Sequence, residues 1–260
     1  MFRTTRRNYK GGRVNPPKEK PNRHCQCESS CTLPAVRGQP FCRKHMYRCH
    51  VRSPMTGWEP EYKPEEYNGD KAIQYSHNCF AYALNVKDPK HIRACRKSRG
   101  CNVPFHIPGR TAGHPRFSGN MGKFCSDVIS RTIADIPGKS SKFSSFQTKC
   151  PPRTSKIGVV VDEENDLHYY RQDSNGWWSH KPGGREVTNK DASGIRIWRP
   201  DLADRYYQKE DPMDSELNYS KFCSYLCVPR DRPITISAGG GRRTRKGRKG
   251  RKGGRRTQKH

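Results

Sequence analysis

The sequence predicts an α+β domain over residues 70–236, carried between two basic arms. Three observations predict it. Apolar residues recur at helical spacing near the start and the end of this span. Short β-branched or alternating runs, separated by turn residues, fill its second half. A dense cysteine and histidine cluster at 25–50 precedes it, too short to hold a core of its own.

The elements follow in order. Residues 1–24 carry Gly11-Gly12, Pro16-Pro17 and Pro21 among basic residues and read as a disordered arm. Residues 51–69 hold three prolines and read as an extended connector. A helix starts near Ser76 or Asn78, both good N-caps, and presents Phe80, Ala83 and Leu84 on one face. Residues 87–120, rich in Lys, Arg, Gly and Pro, read as irregular. A second helix is predicted at 121–135, with Phe124, Val128, Ile129 and Ile133 inward and Pro137 as its stop. Strands are predicted at Lys156–Val161, Leu167–Gln172, Trp177–Lys181 and Ile195–Trp198. A last helix is predicted at 214–227, with Leu217, Phe222, Tyr225 and Leu226 inward. Residues 237–260 repeat Arg-Lys-Gly and read as a disordered tail.

Composition narrows the function classes. The 260 residues are only 31% hydrophobic and include 23 Gly and 20 Pro, which suits a loop-rich domain. No apolar run approaches the roughly 20 residues that span a bilayer, so no membrane role is expected. Met1-Phe-Arg-Thr-Thr-Arg-Arg7 lacks the apolar core of a secretory signal, which points to a reducing cell interior and to thiols rather than disulfides. The net charge of +28 is concentrated at the ends, where Arg242–His260 has no acidic residue. Such a tail binds phosphates without sequence preference, so non-specific nucleic acid is an expected partner.

Two segments suggest chemistry. Ser76-His-Asn-Cys-Phe-Ala-Tyr-Ala-Leu-Asn85 places Cys79 in a first helical turn, where the helix dipole favours thiolate and free backbone N–H groups can cradle an oxyanion. Asp166–Gly184 forms a hairpin about Asp173-Ser-Asn-Gly176, with a histidine on each arm. A three-residue loop with Gly176 left-handed pairs Tyr170 with His180 and puts His168 and His180 on one face. A two-residue loop shifts the register by one and turns His180 away.

Those two segments resemble the NlpC-type branch of papain-like cysteine hydrolases. More narrowly, "NCFAYALN" and "DLHYYRQDSNGWWSHKPGG" resemble a group of bacterial and large-DNA-virus proteins over about residues 76–200. The resemblance implies a papain-like domain, its antiparallel sheet packed on an N-terminal catalytic helix. It implies Cys79 as nucleophile, His168 as general base and His180 as the orienting third member. The expected reaction is hydrolysis of an amide, or acyl transfer, on a polypeptide or peptidoglycan-like substrate. A virion or host-cell location goes with it. The alternative is a non-enzymatic, nucleic-acid-associated or virion structural protein on a degenerate hydrolase scaffold.

Cys25, Cys27, Cys31, Cys42, His45, Cys49 and His50 need an explanation of their own. About 25 residues cannot bury a useful core, so structural zinc is expected to supply the folding energy. The preferred ligands are Cys27, Cys31, Cys42 and His45, with Cys25, Cys49 and His50 in reserve and Cys25 able to replace Cys27. The pattern resembles small knuckles of the form C…C…PA..G.PFC..H. Cys95 and Cys101 could join a second metal site with His91 or His106. Cys223 and Cys227, four apart on the last predicted helix, read as core residues.

Overall fold

A computed structural model describes residues 24–49, 51–117, 123–136, 142–207 and 217–238. The basic arms lie outside the described residues except at their inner ends, as do His50 and Pro137. The fold is α+β. Helices α1 (Glu65–Asn68), α2 (Lys71–Ser76), α3 (Cys79–Ala83) and α4 (Pro89–Lys97) come first, followed by α5 (Cys125–Asp135). Strands β1 (Lys142–Ser144), β2 (Thr154–Asp162), β3 (Asp166–Gln172), β4 (Trp178–His180) and β7 (Lys221–Pro229) form an antiparallel sheet in the order β1-β7-β2-β3-β4. Two short strands, β5 (Tyr206–Tyr207) and β6 (Leu217–Asn218), pair separately. Among the described residues no helix is long and apolar enough to cross a membrane.

β2 lies between β7 and β3 and is buried along its whole length. Its side chains alternate between two cores, as a strand covered on both faces requires. Val159 and Val161 pack with Leu167, Tyr169 and Leu226 against Phe80 of α3 and Val128 of α5. Val160 packs on the other side with Tyr170, Trp178, Tyr225, Ile197 and Trp198. The second core is covered by loops, by Phe41 and Cys49 from the cysteine-rich segment and by Val51 just after it.

The β3–β4 turn has the three-residue form. Gly176 sits at φ 82°, its N–H donates to Asp173 O at 2.8 Å, and Tyr170 pairs with His180. A residue with a Cβ is strained at that φ, which is why glycine stands there.

Four expectations need correction. The helix predicted at 214–227 is strand β7 where it is described. Phe222-Cys-Ser-Tyr-Leu-Cys-Val228 is a short run flanked by β2 and β1, and its two covered faces blur the alternation that would mark a strand. Residues 87–120 are not wholly irregular, because Asp88 caps α4 through Lys90 N–H at 2.9 Å and Pro89 occupies its first turn. Ile195–Trp198 forms no strand beyond an isolated Lys190–Arg196 bridge. Phe124, expected inward, is exposed.

Cysteine pairing also departs from expectation. Cys27–Cys49, Cys95–Cys101, Cys125–Cys223 and Cys150–Cys227 are disulfides, where thiols were expected. Cys25, Cys31, Cys42 and Cys79 are free.

Candidate functional site

The sequence proposed two centres, and only one of them converges. The cysteine-rich segment folds on turns rather than on helices or strands. Val36 N–H donates to Phe41 O, and Gln39 N–H donates to Val36 O, which returns the chain from Cys31 to Cys42. His45 N–H then donates to Cys42 O, placing both side chains on one turn. Cys25 Sγ and Cys42 Sγ each lie 3.4 Å from His45 Nδ1, and Cys31 Sγ lies 3.8 Å from Cys42 Sγ. The four donor atoms fall within 4.8 Å of one another. Tetrahedral zinc, with Zn–S about 2.3 Å and Zn–N about 2.0–2.1 Å, sets S···S near 3.8 Å and S···N near 3.6 Å. Donor types and spacings both fit such an ion.

Cys25 thus occupies the place given to Cys27, whose sulfur is bonded to Cys49. The reason is local. Cys25 Sγ accepts Cys42 N–H at 3.2 Å and points inward. Burial pushes the Cys42 thiol up, but hydrogen bonds from His45 N–H, Cys25 and Cys31 outweigh it, and its pKa falls. Glu28 Oε1 stands 3.9 Å from His45 Nε2, beyond hydrogen-bond distance. The segment docks on the sheet through Gln26. Its amide oxygen accepts Trp198 N–H and Arg199 N–H, and its Nε2 donates to Asp191. Phe41 meets Trp198 edge to face at 5.4 Å.

The second centre divides across the sheet. Asn78 caps α3 by accepting Ala81 N–H, so Cys79 does lie in a first helical turn. Cys79 is buried with Leu167 and Tyr169, and its thiol donates to Leu167 O at 3.9 Å. Burial, then the Asp166 carboxylate, pushes its pKa up to about 12. His168 lies between Leu167 and Tyr169 in β3, and alternation sends it to the opposite face. There it meets Tyr170, Tyr219 and His180.

His168 and His180 do form a pair, with His168 Nε2 2.7 Å from His180 Nδ1. His180 Nε2–H donates to Lys190 O, so its Nδ1 accepts and His168 Nε2–H donates. Burial holds His180 down at about 4 and His168 well below the usual imidazole range, so both are neutral.

The rest of the motif serves buried polar groups. Arg171 donates to Asp173, Asn85, Glu61 O and Tyr82, and Tyr82 OH meets Ser179 Oγ at 2.7 Å. Gln172 donates to Ser53 O. Lys181, fully buried, donates to Gln74 O, Gly183 O and Arg185 O, and burial lowers its pKa to about 7. Sequence reasoning passed over Arg171 and Lys181. Their signal was a charge in a strand otherwise committed to burial on both faces.

No family model matches the chain, and no solved structure matches it. Among curated proteins, insoluble matrix shell protein 1 of Ruditapes philippinarum is 34% identical over 145 residues, which cover 55% of this chain and 80% of that protein.

Proposed function

Because this chain belongs to the family of insoluble matrix shell protein 1, we propose that it is a non-catalytic structural component of an extracellular matrix. The observation that carries the reading is the division of Cys79 and His168 between opposite faces of β3. A nucleophile and its base need hydrogen-bond reach, and a strand stands between these two. Two further features support it. Four disulfides suit an oxidising surrounding. Arg171, Gln172 and Lys181 of the motif spend their polar atoms on internal partners rather than on an open site. Zinc at Cys25, Cys31, Cys42 and His45 is structural in this reading, completing a segment that cannot fold on a core. The basic ends attach the module to acidic polymers, and nucleic acid is one such polymer.

A papain-like hydrolase is the second reading. Two observations favour it: Cys79 lies in the first turn of α3 against the sheet, and the His168–His180 pair forms. Thiol reactivity separates the two. In the native, metal-loaded chain, iodoacetamide at neutral pH should leave Cys79 unmodified until denaturant is added. Rapid native labelling of Cys79, slowed by His168→Ala, would restore the hydrolase and remove the structural reading. Deleting residues 242–260 should flatten the dependence of log affinity for a nucleic-acid probe on log salt. The slope should change by roughly 0.7 to 0.9 for each phosphate that the shortened chain no longer neutralises.

A further inference from the structure

His77, His91 and His106 come from three segments and meet beside α4. Their ring centroids lie 4.5 Å apart for His91 and His106, 5.5 Å for His77 and His106, and 6.1 Å for His77 and His91. All three are buried, His106 to 1% exposure and His91 to 8%. They are not equivalent. His77 Nδ1 sits against Ile73 O and Ser76 Oγ, and His77 Nε2 accepts Asp88 N–H at 2.8 Å. Both of its nitrogens are used, and it holds the Asp88 backbone in place. His91 Nε2, His106 Nδ1 and His106 Nε2 have no hydrogen-bond partner among the described residues. A buried imidazole nitrogen without a partner is costly, and a single ion would satisfy one nitrogen of His91 and one of His106.

Asp88 supplies the missing charge. Its Oδ1 accepts Lys90 N–H at the start of α4, and its Oδ2 lies 3.7 Å from His106 Nε2. That separation is too long for a hydrogen bond and close to the spacing of two atoms on one ion. Donor atoms of Asp88, His91 and His106 all fall within 4.8 Å of one another.

We propose that Asp88, His91 and His106 bind a divalent transition-metal ion of the zinc class, at a site separate from the Cys25–His45 cluster. Two imidazoles and one carboxylate suit such an ion, whereas calcium and magnesium take oxygen ligands. The fold pre-positions all three ligands. Asp88 and His91 are three residues apart across the start of one helix and so share a face. The Cys95–Cys101 disulfide closes the turn that leads from α4 toward His106. Asn78 Nδ2 donates to His106 O at 2.9 Å and anchors the other side of that segment. Of the three, Asp88 alone also lines a cleft of about 1030 Å³, with Lys87, Lys90, Arg93 and Arg110. Three protein donors leave a fourth position for water.

The test compares full-length chains dialysed against zinc chloride, with bound metal measured by elemental analysis and calorimetry. The parent should hold two equivalents. His91→Asn with His106→Asn should hold one, and so should Cys25→Ser with Cys42→Ser, each losing a different ion. Asp88→Asn guards against misfolding, because asparagine caps a helix as well as aspartate does. It should leave the metal-free melting temperature unchanged and weaken the second equivalent at least tenfold. A parent that holds no more zinc than the His91/His106 variant would overturn the proposal. So would an Asp88→Asn chain with unaltered affinity for the second ion.

Discussion

Cysteine and histidine occur together in two parts of this chain, and they behave differently in each. In residues 25–45 three sulfurs and an imidazole point at one volume, at spacings that fit a single ion. Around β3 the same residue types lie apart, Cys79 packing from α3 on one face of the strand and His168 pointing to the loops on the other. The difference lies in what else is available to hold the chain. The N-terminal segment has little core of its own and is held by one disulfide, by its docking on Trp198 and by the gathered donors. The sheet has two cores, and within them a cysteine behaves as a small apolar side chain and a histidine as a neutral polar one.

Metal removal should expose this contrast most strongly. Chelation should release amide protection across residues 24–49 and leave the sheet protected, since structural zinc contributes on the order of 10 kcal/mol to folding such a segment. Hydrogen exchange with and without chelator measures it. Cys25→Ser should abolish the effect of chelator and Cys27→Ser with Cys49→Ser should not; the reverse result would return Cys27 to the ligand set.

The sheet should respond instead to loss of covalent links. Cys125 and Cys223 are 98 residues apart, and replacing both by serine should cost about 4–5 kcal/mol in a non-reducing denaturant melt. Cys95 and Cys101 are 6 apart, and their replacement should cost about half as much. Equal costs would mean that these links act through native packing rather than through the unfolded chain.

The histidine pair should be visible in acid. His180 has a folded pKa of about 4, below its unfolded value near 6.5. Between those values the unfolded chain binds more protons than the folded one, so stability falls as pH drops from 6.5 to 4. His180→Gln should remove about 3 kcal/mol of that dependence, read from melts across the window. An unchanged slope would mean that His180 is charged in the folded state, and the neutral pair described above would have to be abandoned.

Gly176→Ala should have the smallest effect. Its Cβ has room, with Met55 Sδ nearest at 3.8 Å, so the left-handed backbone alone costs about 1 kcal/mol. The Tyr170–His180 register should survive, as cross-strand contacts between those rings would report.

How much of this was legible depended on the range of the interaction. The hairpin was, because Asp173-Ser-Asn-Gly176 is a local turn signal, but the sequence left two registers open, and the Tyr170–His180 pairing decides between them. The Cys/His cluster was legible to within one sulfur, because Cys42 and His45 share a turn; Cys25 and Cys27 could be separated only by their partners 17 and 22 residues away. Strand β7 was not, since Phe, Cys, Tyr and Leu in a doubly covered strand imitate a helix face. The division of Cys79 from His168 was beyond the sequence for another reason. Alternation tells which residues of β3 share a face, but which face α3 covers is settled by tertiary packing.

The Cys125–Cys223 link has a mechanical consequence. Tension applied to the two ends of the chain passes from Cys125 straight to Cys223. The 98 residues of separation between them, with β2, β3 and β4 inside, are bypassed. Roughly 300 Å of contour length is thereby withheld from stretching, at about 3.4 Å per residue. Strands β1 to β4 are shielded from the pull, while β7 beyond Cys223 still carries it. The slack lies in the segments before α5 and after β7, and those segments are the ones that end in the basic arms.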